Sequence, residues 1–322
     1  MNKKKMLFGI WLMTMTLMSL FAFTIYFVAQ MRYSVLFTGY LVLMISQFFS
    51  LTVFLIDDER IKKSIVKILY RVCCIVSLAV IPAFLFIFTA LTSQYHATID
   101  EAIRVEPSEY ESMLPGEETT IYETDDLYIT FPKYSRIDLV CGDRPSTSDE
   151  EITWCSGAAF QHELRFDFSH LNVEGYHACS GEYYDSPYIH DESAAFVSYD
   201  GKFKFEFDDP EGAIKEAAEN GGSGFMQFGI IQDGEVVYSF SRTRCYRVLA
   251  ELNGNVCIID SKEMMNFNDF IEELKELNVI NALYMDMGAG WNYSWYRRTN
   301  GKVKTLFDLK VPWSHNWVVF RV

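Results

Sequence analysis

Three long apolar runs open this chain and constrain what its first third can fold into. Residues 6–30 and 34–56 carry no charge, and a third run covers about 68–91 with Arg71 near its start. About 20 helical residues span the hydrocarbon core of a bilayer, so each run is long enough to cross one. The first run exceeds the roughly 7–15 apolar residues of a cleaved signal peptide, and no small-x-small cleavage site follows it. The sequence therefore predicts three transmembrane helices within residues 1–92.

Basic residues orient them. Lys3, Lys4 and Lys5 precede the first run, and Arg60, Lys62, Lys63, Lys67 and Arg71 stand between the second and third, whereas the first hairpin loop has only Arg32. The positive-inside rule puts the amino terminus and the second loop in the cytoplasm. Three crossings then leave everything after about Thr92 extracytoplasmic, in a periplasm or at a cell surface. That outer part is acidic: of 28 basic and 43 acidic residues in all, residues 1–92 hold 9 and 3, which leaves a net of −21 outside. Such a domain repels nucleic acid and anionic lipid, so no nucleic-acid partner is expected beside the membrane that anchors it; the acidity by itself identifies no ligand and is more often a solubility feature.

Cys73 and Cys74 belong to the third run, leaving Cys141, Cys155, Cys179, Cys245 and Cys257 outside. An extracytoplasmic compartment permits disulfides, and Cys141 with Cys155 would close a modest loop around GDRPSTSDEE. Five is odd, so at least one thiol is free or pairs between chains; Cys245 and Cys257 read as buried thiols in apolar strands. There is no CxxC pair or HExxH and the six histidines are scattered, so neither a zinc centre nor another cofactor is expected. The acidic loops leave room only for a structural divalent cation.

Residues 93–117 are polar, acidic and turn-rich and read as a linker or partly ordered stalk; residues 118–322 are long enough for one domain with a sizeable core. Strand-like runs recur at LYITF, RIDLVC, EITWC, AAFVSY, KFKFEF, FGIIQ, EVVYSFS, CYRVLAEL, NVCIID, NALYMD and NWVVFRV, several separated by the hairpin signals Asp200-Gly201, Asp233-Gly234 and Asn253-Gly254. Helical patterns are fewer: Glu211–Asn220, and Phe267–Leu277 behind the potential cap Asn266. The expected fold is α+β, strand-rich with a mixed sheet and a few helices.

A local β-α-β unit stands out, with a strand at Val256–Asp260, the helix from Phe267, and a strand at Ala282–Asp286. Were its strands adjacent and parallel, Asp260 and Asp286 would emerge about 4.8 Å apart at the carboxyl end of one sheet, where such sheets bind ligands. Two carboxylates there can divide acid and base roles; the plainer reading is that each caps its own turn, and for Asp260 that reading is the stronger. Asp286 opens a glycine-broken, aromatic-rich loop in which Gly288 and Gly290 let the backbone turn sharply or approach a ligand. A tight turn with packed aromatics is the equal alternative.

The order of GAAF (Gly157–Phe160), ENGGSGFMQFGIIQDGEVV, RTRCYRVLAELNGNVCIID, a helix and ALYMDMGAGWNYSWYR resembles the phosphodiester glycosidase family over much of residues 150–322, in a divergent bacterial branch. Within that resemblance Asp286 matches the aspartate of a final D-G-G-G-S motif, Gly288 its second glycine, and Arg247 or else Arg244 the family arginine. Met287, Ala289 and Gly290 depart from the motif's other glycines and serine, and GAAF lacks the asparagine of the early N-G-x-F element.

The resemblance implies a hydrolase cleaving a sugar-1-phosphodiester, with Asp286, Arg247 and Asp260 as catalytic candidates. Loss of an anomeric phosphodiester builds oxocarbenium character that a carboxylate stabilises, and an arginine suits bidentate phosphate recognition, although an ion-pairing arginine explains Arg247 equally well. Backbone N–H groups near Gly288 and Gly290, or near Gly222 and Gly224, would supply anion contacts. Phe160, Trp291, Tyr293 and Trp295 would line or stack on the sugar, with Asn292 and Ser294 on the other face of the strand; core packing competes for aromatics that alternate in a strand. The alternative function is a non-catalytic glycan or envelope-ligand binding domain, which the missing motif glycines and serine favour.

Overall fold

The computed structural model describes residues 99, 101–162, 168–286, 294–307 and 314–322. The chain divides into two compact units, Met1–Thr92 and Ser93–Val322, and the described residues belong to the second. The three expected membrane helices lie outside them; among the described residues no helix is long and apolar enough to cross a membrane.

Strands β1 (Ile103–Arg104), β2 (Thr120–Glu123) and β3 (Leu127–Phe131) lead into β4 (Arg136–Cys141) and β5 (Ile152–Gly157). Next come β6 (His177–Cys179), β7 (Glu182–Tyr184), β8 (Ser193–Tyr199), β9 (Lys202–Glu206) and helix α1 (Pro210–Glu219). They are followed by β10 (Ser223–Gln232), β11 (Glu235–Val236), β12 (Thr243–Arg244), β13 (Arg247–Leu252), β14 (Asn255–Ser261), β15 (Met265–Asn266) and helix α2 (Phe267–Glu276). β16 (Asn281–Tyr284), β17 (Ser294–Arg297), β18 (Val303–Phe307) and β19 (Asn316–Arg321) complete the order. The strand-rich α+β expectation holds for this unit.

Local signals set the elements. Asp209 caps α1 by accepting from the Gly212 amide, and Asn266 caps α2 by accepting from the Asn268 amide. All three hairpin turns form, with Asp200, Asp233 and Asn253 and their following glycines at positive φ, the geometry that matches the twist of paired strands. EVVYSFS departs from its expected strand after Val236. There Tyr238 stacks on Phe228 at 4.9 Å and Phe240 on Phe267 at 3.9 Å, so the aromatic rings cover the helix layer instead of extending the sheet.

The large sheet runs β1-β2-β3-β14-β13-β16-β10-β6-β7, with β8, β9 and β11 joined through β10. A five-stranded sheet has the order β18-β17-β5-β19-β4. One core lies between the two sheets, with Leu249, Ile258 and Leu283 from the first meeting Trp154, Tyr296, Val318 and Phe320 from the second. On the opposite face of the large sheet, Val248, Ala250, Cys257, Ile259 and Ala282 pack under Phe267, Phe270, Ile271 and Leu274 of α2. Alternation along each strand thus feeds two cores at once.

Two expectations change. β14 and β16 are not neighbours: β13 lies between them, antiparallel to both. The nominal β-α-β unit is therefore two parallel strands about 9.6 Å apart, at one strand spacing of about 4.8 Å on each side of β13. Nor is the stretch to residue 117 a free linker. Val105, Tyr110 and Met113 are buried in the helix-side core, and the Asn253 side chain donates to the carbonyls of Tyr110 (2.9 Å) and Met113 (3.0 Å).

The expected Cys141–Cys155 pairing is replaced by Cys141–Cys179. β19 separates β4 from β5, and Val319 faces both Asp138 and Cys155. Cys155 is thus two strands and three residues away from Cys141, beyond the reach of a disulfide. Cys155, Cys245 and Cys257 are buried, as expected for the last two.

Replacing Asn253 by Gly should keep the hairpin, since glycine also accepts positive φ, but remove both hydrogen bonds that hold the preceding segment. A loss of about 1–2 kcal/mol in denaturant unfolding, with faster amide exchange at Met113, is the expected result.

Candidate functional site

The register of β13 brings the carboxyl ends of β14 and β16 to the amino end of β13. Arg247 faces Asp260 across one pair and Val248 faces Tyr284 across the other. The Met285 amide donates to the Arg247 carbonyl at 3.0 Å. Asp260, Arg247 and the start of the Asp286 loop therefore share one edge of the large sheet.

The pleat then sorts them. Arg247 and Asp260 follow the alternation of Leu249 and Ile258, toward the core between the sheets. The Arg247 Nε donates to the Asp260 Oδ1 at 2.6 Å, with side chains only 4% and 6% exposed. The guanidinium carbon lies 5.6 Å from the centroid of the Trp154 ring, whose other neighbour is the stacked ring of Tyr296 at 6.2 Å. One guanidinium nitrogen, Nη1, is buried with no hydrogen-bond partner among the described residues. This is a desolvated ion pair under an aromatic lid. Asp260 is occupied by Arg247 and does not share a site face with Asp286, so the divided acid and base roles find no geometric support.

On the helix side, Tyr284 is buried at the end of β16 and Asp286 lies two residues beyond it, partly exposed. Burial pushes the Tyr284 phenol up, the Arg244 guanidinium opposes that rise, the Asp286 charge adds to it, and Arg242 opposes it more weakly. The phenol oxygen makes no hydrogen bond of ordinary length and angle among the described residues. Arg244 reaches this place because β12 pairs with β15 just before α2. A carboxylate and two arginines thus act on one buried phenol at the end of β16.

GAAF packs against the same point. The Asp286 amide donates to the Ala158 carbonyl at 3.0 Å, and the Phe160 ring meets Tyr284 edge-on at 5.5 Å. GAAF has no asparagine of its own, but Asn316 from β19 clamps it: the Asn316 Oδ1 accepts from the Ala159 amide at 2.7 Å and its Nδ2 donates to the Ala159 carbonyl at 3.1 Å. Phe160 and the Asp286 backbone therefore both lie beside the end of β16. Tyr284, Trp154 and Asn316 were missed. The resemblance offered Arg244 as the alternative to Arg247, whereas nothing in the sequence links Asn316 to GAAF across 157 residues.

Other candidates sit elsewhere or serve packing. Gly222 and Gly224 are glycines for steric reasons: an added Cβ would lie 2.4 Å from the Ser198 carbonyl oxygen at Gly222 and 2.7 Å from the Val197 side chain at Gly224. The Gly222 amide is spent on the Ala217 carbonyl and Gly224 is paired in the β10–β8 ladder, so neither offers a cradle for an anion. Trp295 is fully buried with Cys155, Trp317 and Val319, and Ser294 is also buried. The ring of Trp295 is core, and sugar stacking does not fit that position. Gly288, Gly290, Trp291, Asn292 and Tyr293 lie outside the described residues.

One group of possible metal donors occurs among the described residues, formed by Cys141, His170, His177 and Cys179. It belongs to β4, β6 and the turn before β6.

No protein-family model matches the chain, and no curated protein matches it by sequence. Among solved structures it is similar to the zebrafish N-acetylglucosamine-1-phosphodiester alpha-N-acetylglucosaminidase catalytic domain auto-inhibited by its pro-peptide, at 12% identity and a TM-score of 0.40, over 63% of this chain and 81% of that one.

Replacing Asp260 by Asn strands the Arg247 charge in a buried setting and should cost about 3–5 kcal/mol in unfolding free energy. The joint change Asp260→Leu with Arg247→Met should cost clearly less than the single substitution. Equal costs would mean that the ion pair is not the desolvated pair described above.

Proposed function

We propose that this chain is a membrane-anchored extracytoplasmic hydrolase that cleaves a sugar-1-phosphodiester at the Asp286 edge of the large sheet. The observation that carries the reading is the grouping of Asp286 with Tyr284, Arg244 and Arg242 where β16 ends and GAAF abuts it. The sequence resemblance described above agrees with it, as do the apolar runs that would anchor the domain.

The chemistry follows from those groups. As the bond from the anomeric carbon to the phosphodiester oxygen breaks, positive charge develops on the sugar and negative charge on the departing phosphodiester. Asp286 would stabilise the first or direct a water at it. Arg244 and Arg242 would hold the second through planar, charge-assisted donors. Between Arg247 and Arg244 as the family arginine, this geometry favours Arg244, because Arg247 is committed to Asp260 inside the core. Arg247 becomes a positioning residue that fixes the start of β13 and, through its carbonyl, the Met285 amide.

The test is hydrolysis of a panel of sugar-1-phosphodiesters by the purified full chain. Asp286→Asn should lower turnover by at least about 10²-fold, in the range of a lost acid-base or electrostatic group, with the melting temperature held. Arg244→Ala should weaken substrate capture by about 10–100-fold, the worth of a charged hydrogen bond. Full activity in Asp286→Asn would refute the assignment. A folded chain that binds glycans yet turns over none of the panel would instead make this a binding domain.

A further inference from the structure

A second chemical grouping includes Cys141, which faces Asn316 across the β19–β4 ladder. β4 is the edge strand of the five-stranded sheet and β6 lies one strand from the edge of the large sheet. Cys141 ends β4, His177 and Cys179 begin and end β6, and His170 starts the short 3-10 turn that precedes it. One donor atom from each of the four lies within 4.8 Å of every other. In a tetrahedral zinc site with bonds of about 2.0–2.3 Å, the donors stand about 3.3–3.8 Å apart. The four side chains are thus already gathered at nearly the spacing of a metal shell.

The histidines point their nitrogens at each other as ligands do. The His170 Nδ1 and His177 Nε2 are 2.8 Å apart. The other ring nitrogen of His177, Nδ1, lies 3.2 Å from the Gly175 carbonyl oxygen, which calls for a hydrogen on Nδ1 and leaves a lone pair on the inward Nε2. That is the usual outer-shell arrangement of a metal-binding histidine. His177 is fully buried, and the Tyr184 ring stacks on His170 with centroids 3.2 Å apart, so the cluster is covered on that side. The turn has its own constraint, since a Cβ at Gly175 would sit 2.6 Å from the Met226 Cβ.

We propose that Cys141, His170, His177 and Cys179 form a structural Cys2His2 site for Zn2+, alternative to the Cys141–Cys179 disulfide. Two sulfurs and two imidazoles in a closed four-ligand shell suit zinc in tetrahedral geometry and leave no position for a substrate or water. Opening the disulfide takes two electrons and two protons from a small dithiol, which leaves as its own cyclic disulfide. Zinc then binds both sulfurs as thiolates and the two thiol protons go to solvent. In either state β4 is tied to β6, so the edges of the two sheets stay clipped together. The oxidised clip is covalent; the reduced one is a metal.

The proposal is tested on the full chain, reduced with excess dithiol, freed of reductant without air and exposed to Zn2+ or Co2+ alone. One zinc per chain should remain after desalting, the melting temperature should rise with zinc and fall again with chelator, and Co2+ should show tetrahedral d–d bands with sulfur-to-cobalt charge transfer. His170→Ala and Cys179→Ser should each reduce retained zinc to background. Because either variant can lose its fold, the wild-type cobalt spectrum stands as the independent reading of the donor set. The proposal is overturned by a reduced wild-type chain that takes up no zinc, by cobalt spectra without sulfur charge transfer, by zinc uptake unchanged in both variants, or by a disulfide that stays closed under the dithiol.

Discussion

β13 is the strand on which the remaining geometry depends. It pairs with β14 on one side and β16 on the other, so its amino end is the only place where Asp260, Arg247 and the Asp286 loop can meet. Its two-residue alternation decides the chemistry: Arg247 and Leu249 face the inter-sheet core while Val248 and Ala250 face α2. A slip of one residue would exchange the faces, expelling the arginine from Asp260 and driving it into the aliphatic layer under the helix. The buried ion pair thus reports register as well as strength.

Its energetics are of the asymmetric kind. Desolvating a guanidinium and a carboxylate recovers little net free energy when both are present, yet an unpartnered charge left behind is costly. Trp154 above the guanidinium and Tyr296 beyond it make the setting apolar on the far side. The pair therefore contributes by excluding other arrangements of β13 and β14 more than by adding stability. On the other face, Asp286, Arg244 and Arg242 each act electrostatically on the buried Tyr284 phenol.

Two means of attachment meet where β19 begins. Asn316 of β19 grips the GAAF backbone at the exit of β5, and that backbone accepts the Asp286 amide of the large sheet. Asn316 also faces Cys141 across the β19–β4 ladder, and Cys141 and Cys179 join β4 to β6. The hydrogen bonds to backbone position the start of the loop without closing it, whereas the clip between β4 and β6 ties one sheet to the other.

Local chemistry was legible in the sequence because it acts over a few residues. The Asp-Gly and Asn-Gly turns, the cap Asn266, the helix Phe267–Glu276 and the longer strands follow from backbone preference and apolar spacing alone, and so does the length of the apolar runs before residue 92; short strands such as β6, β7, β12 and β15 do not. Asp286 was visible as a candidate for the same reason, since glycines and aromatics after a strand are a local pattern, whereas Phe160 entered only through the resemblance of GAAF. What the sequence left open was which strand lies next to which. The insertion of β13 between β14 and β16, the transfer of Cys141 from Cys155 to Cys179, the approach of His170 to His177 and the loan of Asn316 to GAAF are all decided by sheet order and register. Those depend on how two cores are filled from both faces of the same strands, a condition on the whole chain that no short stretch of it contains.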